Sequence, residues 1–259
     1  MNKNIVITGA SSGIGEKVAI LAALHGARPI LLARSTEKLK EIAESINRLS
    51  NVKCLYYTLD VSDFEQVKVV FKEIYDEVGQ IDILLNNAGF GVFESLQEAS
   101  LNEIKQMFDV NVLGLIACTK EVLPYMLEMN SGHIINIASQ AGKVGSAKSS
   151  GYSATKHAVL GFTNSLRLEL FHTNIFVSAV NPGPIETNFF NIADKSGTYV
   201  KNAKKIMLKS DYVAEQIIAL MIKPKREVNL PKWMSIGSTL YHLFPVLADK
   251  LIGKQFNMK

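Results

Sequence analysis

Cysteine is nearly absent from this chain: Cys54 and Cys118 are the only two in 259 residues. They lie far apart, each in an apolar stretch. That excludes a disulfide framework and predicts buried free thiols in a reducing compartment, the cytoplasm. Histidine occurs five times, at 25, 133, 157, 172 and 242. None has metal-ligand spacing or an acid cluster beside it, so no metal site is expected. No apolar run reaches the length of a membrane span. The first strand pattern begins by residue 4, and no signal peptide fits ahead of it. Neither sign of charge dominates: 28 Lys and Arg against 24 Asp and Glu give a net charge of +4. The lysines are dispersed and no aromatic-studded basic stripe appears, so a nucleic-acid partner is not expected. Repeats, low-complexity tracts and interdomain linkers are also missing. One domain spanning 1–259 remains, with 47% apolar residues and ample core.

What is present is alternation. Strand patterns fall at 4–8, 29–33, 52–58, 82–86, 132–138, 174–180 and 226–230. Helical patterns fall near 14–25, 36–49, 63–78, 101–129, 152–172 and 211–223. Such alternation makes parallel βαβ units and a doubly wound, Rossmann-like α/β sheet with helices on both faces.

Between the first strand and first helix runs Thr8-Gly9-Ala10-Ser11-Ser12-Gly13-Ile14-Gly15. Glycine permits close backbone approach, and a helix N-terminus offers free N–H groups to a pyrophosphate. The spacing, G-x-x-x-G-x-G, is longer than the commoner fingerprint, and a purely structural turn is the competing reading. At the end of the second strand a chain selective for a free ribose 2′-hydroxyl would carry an acid. Here Arg34-Ser35 stands there. A guanidinium beside a hydroxyl suits a 2′-phosphate, so NADP(H) is expected over NAD(H). The alternative is that Arg34 is an ordinary solvated residue.

Further strand ends deliver Asp60-Val61, Asn86-Asn87-Ala88-Gly89, Ser139, and Asn181-Pro182-Gly183-Pro184-Ile185-Glu186-Thr187. In such sheets, ligands bind where these ends converge. Asn86–Gly89 could equally make a turn that stabilises the sheet. Tyr152 and Lys156 sit four residues apart, on one face of a helix.

With Thr8 to Gly15, Asp60, Asn86 to Gly89, Asn111, Ser139, Tyr152, Lys156 and Pro182-Gly183 in this order, the chain resembles the short-chain dehydrogenase/reductase family over residues 4 to 230. The resemblance implies a seven-stranded parallel sheet, a nicotinamide cofactor, a Ser139-Tyr152-Lys156-Asn111 catalytic set and a homodimer or homotetramer. It also implies that Asn111 holds a water linking Lys156 to solvent, and that Thr187 and the backbone near Ile185 grip the nicotinamide carboxamide. The cofactor-binding set is then Gly9, Ser11, Ser12, Gly13, Ile14, Arg34, Ser35, Asp60, Val61, Asn87, Ala88, Gly89, Tyr152, Lys156, Pro182, Gly183, Ile185 and Thr187.

The residues support that chemistry independently. Carbonyl reduction needs a proton at oxygen, and Tyr152 can donate one. A free phenol has a pKa of about 10, and the charge of Lys156 is expected to lower it. Ser139 would hydrogen-bond the substrate oxygen. The expected partner is thus a small carbonyl or alcohol, in either direction. A non-catalytic NADP(H)-binding regulator is the alternative, disfavoured because it has no need of all three side chains.

Residues 188–210 are expected to form a substrate lid loop. It carries lysines at 195, 201, 204, 205 and 209, with Phe189, Phe190 and Tyr199. With Phe90, Val92 and Phe93 these aromatics predict an apolar pocket and a hydrophobic substrate; the lysines leave open an acidic or thioester one. A helical extension is expected at 233–259. Ile236, Leu240, Leu243, Phe244, Leu247, Leu251 and Phe256 share one face, flanked by Lys250, Lys254 and Lys259, with Pro245 as a break. Three roles compete for it: packing on its own domain or a partner subunit, covering the pocket, or membrane contact, since the tail resembles that of membrane-associated steroid and lipid reductases in the family. The helices at 101–129 and 152–172 are apolar on more than one face. Family members dimerise through these two helices.

Overall fold

A short run of apolar residues buried on both faces makes a parallel strand, and five of the seven principal strands here contain a continuously buried run. The computed structural model describes residues 1–194 and 197–256, with side chains to 250. Its main sheet contains β1 (Asn4–Thr8), β2 (Arg28–Ala33), β3 (Leu55–Thr58), β4 (Ile83–Asn86), β5 (Gly132–Ile137), β6 (Ile175–Pro182) and β9 (Glu227–Leu230). The spatial order is β3-β2-β1-β4-β5-β6-β9 and every pairing is parallel. The doubly wound α/β expectation and the count of seven are therefore met.

Alternation along the strands divides the core into two layers. Ile5, Ile7 and Leu31 face α1 (Gly13–Leu24), α2 (Thr36–Leu49) and α9 (Ser210–Ile222). Val6, Ile30, Leu32 and Leu84 face α3 (Phe64–Val78), α5 (Leu115–Glu128) and α6 (Ser150–Glu169). Local chemistry sets the ends of these elements. Asp63 caps α3 by accepting from the Gln66 backbone N–H, and the Gln66 side chain accepts from the Asp60 N–H in return.

The long helix predicted at 101–129 runs as α4 (Leu101–Phe108), a π-helical turn at Asp109–Gly114, and α5. By length and composition, Leu101–Glu128 could cross a membrane. Screening for an unbroken apolar run misses this, because its polar positions are interspersed. Here it is a core helix packed on α3, α6 and the sheet.

Residues 188–210, expected as a substrate lid loop, contain short regular elements. They form α7 (Phe189–Ala193), α8 (Thr198–Ala203) and β8 (Leu208–Lys209), with β8 pairing to β7 (Ile185–Glu186). These pieces span only two to six residues each, too short for a readable period. Phe190, Ala193 and Ala203 anchor them by burial. Lys195 lies outside the described residues.

The C-terminal extension forms α10 (Lys232–Leu243) and α11 (Pro245–Phe256), divided at Pro245 as expected. Its apolar face does not pack on its own domain. Ile236, Leu240, Leu243, Phe244 and Leu247 are all exposed. The side chains of Leu251 and Phe256 lie outside the described residues.

Candidate active site

The strand order reverses between β1 and β4, and a cleft of about 760 Å³ opens beyond their carboxyl ends. Its nucleotide end is built from the glycine loop. Gly9 has φ +65° and Gly13 φ +60°, backbone that favours glycine. A Cβ on Gly9 would lie 2.8 Å from the Cα of Ala88. Thr8 and Asn87 fix the spacing. The Thr8 hydroxyl accepts from the backbone N–H groups of Asn87 and Ala88, and the Asn87 amide donates to the carbonyls of Thr8 and Gly9 at 3.0 and 3.1 Å. Asn87 and Ala88 thus make the turn and also line the cleft. Ser12, the N-cap residue of α1, uses its hydroxyl in no capping bond. The fit to a dinucleotide is good: a loop that tolerates no side chains at its glycines leads into an uncapped helix N-terminus.

At the far end of this channel stands Arg34, its side chain 78% exposed and 4.0 Å from the Asp60 carboxylate. Burial would raise the Asp60 pKa, but hydrogen bonds from Ser62 and the charge of Arg34 hold it below the usual range. Ser35 and Lys38 line the cleft beside Arg34. Lys38 was not among the residues expected to bind the cofactor. Its position four residues after Arg34, on the first turn of α2, was the available signal. Lys17 lies on the surface and pairs with Asp211 at 3.2 Å.

At the opposite end the reacting side chains converge. Ser139 ends β5, and Tyr152 and Lys156 project from α6. All three line the cleft. The Ser139 hydroxyl donates to the Pro182 carbonyl at 3.4 Å and accepts from the Ala141 N–H at 3.0 Å, and it stands close enough to the Tyr152 phenol to lower its pKa. The Lys156 ammonium donates to the Ile137 carbonyl at 2.9 Å and lies 5.8 Å from the centroid of the Tyr152 ring. Burial pushes the phenol up to about 12, with Ser139 pulling it back and Tyr199 adding to the rise. The expected lowering by Lys156 is not found: burial raises the phenol, and Ser139 is the group that lowers it. The same burial brings the Lys156 ammonium down to about 8.

Of the residues expected in catalysis or cofactor binding, Asn111 alone does not line the cleft. It sits in the π-helical turn, where its side chain brackets the β4–α4 loop. Its Oδ1 accepts from the Phe90 N–H at 3.0 Å. Its Nδ2 donates to the Phe90 carbonyl at 2.8 Å and to the Thr155 hydroxyl at 3.1 Å. The Asn111 side chain thus positions the loop that follows β4. All the other expected residues, from Gly9 through Thr187, reach the cleft.

Two networks stiffen the floor. Asn136 on β5 donates to Thr163 of α6 and accepts from Asn86 on β4, which also donates to Thr119 of α5. The loop after Ser139 is bracketed from the last strand. Lys143 reaches the Glu227 carboxylate at 2.9 and 3.0 Å, and Asn181 donates to Glu227 and Asn229. Burial opposes the charge on Glu227, yet these hydrogen bonds hold its carboxyl below the usual range.

The wall over Tyr152 is aromatic. The Phe93 ring stands 5.6 Å from Tyr152, 6.2 Å from Phe189, 6.1 Å from Phe190 and 4.9 Å from Tyr199. Lys201, Lys204, Lys205 and Lys209 are exposed and do not line the cleft. Val92 is buried behind the wall rather than in it.

A doubly wound sheet with a glycine-loop channel at one end and a Ser-Tyr-Lys cluster at the other defines a nucleotide-dependent oxidoreductase. The family model for short chain dehydrogenase matches residues 3–196, and the chain belongs to that family. An uncharacterized oxidoreductase of Staphylococcus aureus (strain MRSA252) is 35% identical over 224 residues, 86% of this chain and 93% of that protein. Dehydrogenase/reductase SDR family member 7B of Xenopus laevis is 37% identical over 71% of this chain, but over only 58% of its own length. Among solved structures, serine dehydrogenase complexed with NADP+ has a TM-score of 0.82 at 30% identity, covering 88% of this chain and 94% of that one. An alcohol dehydrogenase from the archaeon Thermococcus sibiricus, complexed with 5-hydroxy-NADP, has a TM-score of 0.78 at 30% identity, covering 89% and 95%. A Burkholderia phymatum member in complex with NAD shares the fold, with a TM-score of 0.87 at 24% identity over 95% of each chain.

Proposed function

We propose that this oxidoreductase uses NADP(H) to reduce a hydrophobic ketone or aldehyde, or to oxidise the corresponding alcohol. The observation that carries this reading is the convergence of the Ser139 and Tyr152 hydroxyls beneath an aromatic wall, in one cleft with Arg34. The NADP-bound relatives and the exposed guanidinium of Arg34, with Lys38 beside it, support the cofactor preference. The two buried, unbridged thiols support a reducing compartment such as the cytoplasm.

The nicotinamide, when bound, supplies the hydride for reduction or takes it up in oxidation. The chain supplies the rest. The glycine loop, Asp60, Val61 and Asn87 to Gly89 would hold the dinucleotide, and Pro182, Gly183, Ile185 and Thr187, which line the same cleft, would hold its nicotinamide. Ser139 donates a hydrogen bond to the substrate oxygen, where charge develops. Tyr152 delivers a proton to that oxygen, and the nearby Lys156 ammonium favours the phenolate that remains. Phe93, Phe189 and Tyr199 exclude water and select an apolar body for the carbonyl.

The test is spectrophotometric oxidation of NADPH against a panel of ketones and aldehydes, with NADH as the control. Turnover of apolar members is expected. Tyr152→Phe should lose roughly 10²–10⁴-fold in kcat while still binding NADPH. Arg34→Ala should lower NADPH affinity about tenfold, the equivalent of one charge-assisted hydrogen bond, and leave NADH affinity unchanged. Faster turnover with NADH than with NADPH would sink the cofactor reading. A Tyr152→Phe variant as active as the parent would sink the mechanism.

A further inference from the structure

Where Ser139 points is decided behind the cleft. Its hydroxyl has partners on two different elements: the Ala141 N–H on its own loop, from which it accepts, and the Pro182 carbonyl at the end of β6, to which it donates. The loop is also pressed against α6, since a Cβ on Gly142 would stand 2.6 Å from the Lys156 carbonyl oxygen. A small shift of this loop along β6 therefore moves Ser139 relative to Tyr152 and Lys156. Chain connectivity does not prevent such a shift, because Ser139 and Pro182 are 43 residues apart.

Two ties do prevent it. The Gln140 side chain donates to the Asn181 carbonyl at 2.8 Å. The second tie runs through Glu227. Alternation along β9 puts Glu227 and Asn229 on one face, and Asn229 pairs in register with Asn181. Oε1 of Glu227 accepts from Lys143 at 2.9 Å and from Asn229 at 3.3 Å; Oε2 accepts from Lys143 and from Asn181, both at 3.0 Å. Asn181 is wholly buried and its Oδ1 has no partner among the described residues, so donation to Glu227 and Asn229 orients its amide. One carboxylate thus joins the loop after Ser139 to the strand that ends at Pro182. None of Gln140, Lys143, Asn181, Glu227 and Asn229 lines the cleft.

The burial of this ion pair points to geometry rather than stability. Its side chains are 17% and 35% exposed, whereas every other ion pair among the described residues has a partner at least 65% exposed. Withdrawing two charges from water costs about what their attraction returns, and well-packed apolar side chains hold a fold as well. What apolar side chains cannot supply is a set of directed, charge-assisted hydrogen bonds at fixed distance.

We propose that Glu227 is a positioning residue for the reaction: through Lys143 and Asn181 its carboxylate holds the Ser139 loop against the end of β6 and sets where the Ser139 hydroxyl meets the substrate oxygen. This rests on the reading of Ser139 and Tyr152 as the reacting hydroxyls. The test is steady-state kinetics of the full-length protein with NADPH and the apolar ketone it turns over fastest. Glu227→Gln should lower kcat about 10- to 100-fold, with the KM for ketone and the Kd for NADPH within about twofold of the parent. In a Ser139→Ala background, where the positioned group is gone, the same substitution should change kcat by less than about twofold. Glu227→Gln alone leaves Lys143 unpaired and can loosen the fold. Lys143→Met/Glu227→Met removes both charges, and should keep a Tm close to the parent's while losing kcat as Glu227→Gln does. The proposal is overturned if Glu227→Gln keeps its kcat, if its loss is undiminished in Ser139→Ala, if kcat returns in the methionine double variant, or if kcat falls only in step with Tm. A parent that reduces no carbonyl, or a Ser139→Ala variant as fast as the parent, overturns the functional reading and this proposal with it.

Discussion

Gly9 shows what a single position can cost. Its φ is positive and its Cβ position is taken by Ala88, so Gly9→Ala combines backbone strain with a clash. A loss of about 1–3 kcal/mol is expected, together with at least tenfold weaker NADPH binding, read by urea denaturation and by titration. Lys156 makes a prediction of different kind. Its folded pKa is about 8 against 10.5 for the free side chain, so below pH 8 the fold carries the full cost of a buried charge. Between pH 8 and 10.5 the unfolded chain binds more protons, and stability should rise relative to Lys156→Met. Urea midpoints at pH 7 and 9.5 check this; a constant gap between the two proteins rules out the buried charge. Ser139, Tyr152 and Lys156 were legible because reactive groups at fixed spacing leave a mark in one dimension. The bracketing role of Asn111 was not, since its partners Phe90 and Thr155 lie 21 and 44 residues away.

Among the elements, most strands were readable as short continuous apolar runs and the long helices by a period of 3.6. The π-helical turn at Asp109–Gly114 and the short pieces between 188 and 210 were not, since tertiary contacts rather than local pattern hold them. The β5–β6 pair carries a device invisible in sequence. The His133 Nε2 lies 2.8 Å from the Ser178 hydroxyl, which itself donates to the Lys225 carbonyl. Nε2 is therefore the donor, and Nδ1 is buried without a partner among the described residues. Burial lowers this imidazole to about 4 from 6.5. The unfolded chain takes up a proton first, so stability is present above pH 6.5 and is lost as pH falls toward 4, by about 3 kcal/mol. A His133→Leu variant should lack that slope in an acid titration followed by circular dichroism. An unchanged slope would assign acid sensitivity elsewhere.

For the whole molecule, the parallel topology and the cleft at its switch point followed from the order of strand and helix patterns. The orientation of the last two helices did not, because an apolar stripe reads alike whether it faces a core or the outside. We propose a homodimer or homotetramer formed through α4–α5 and α6, on which Leu168 is 73% exposed while Leu166 is buried. Sedimentation velocity at micromolar concentration should find the assembly, and Leu168→Asp should shift it toward monomer; a wild-type monomer at that concentration counts against it. The bracket on the catalytic loop has a consequence in time. Lys143 is held by Glu227, on the final strand of the sheet. A ribosome therefore completes Ser139, Tyr152 and Lys156 well before it makes the residue that fixes their loop. In a series of stalled nascent chains, reductase activity should stay silent while the catalytic residues are already outside, and switch on only once β9 clears the exit tunnel.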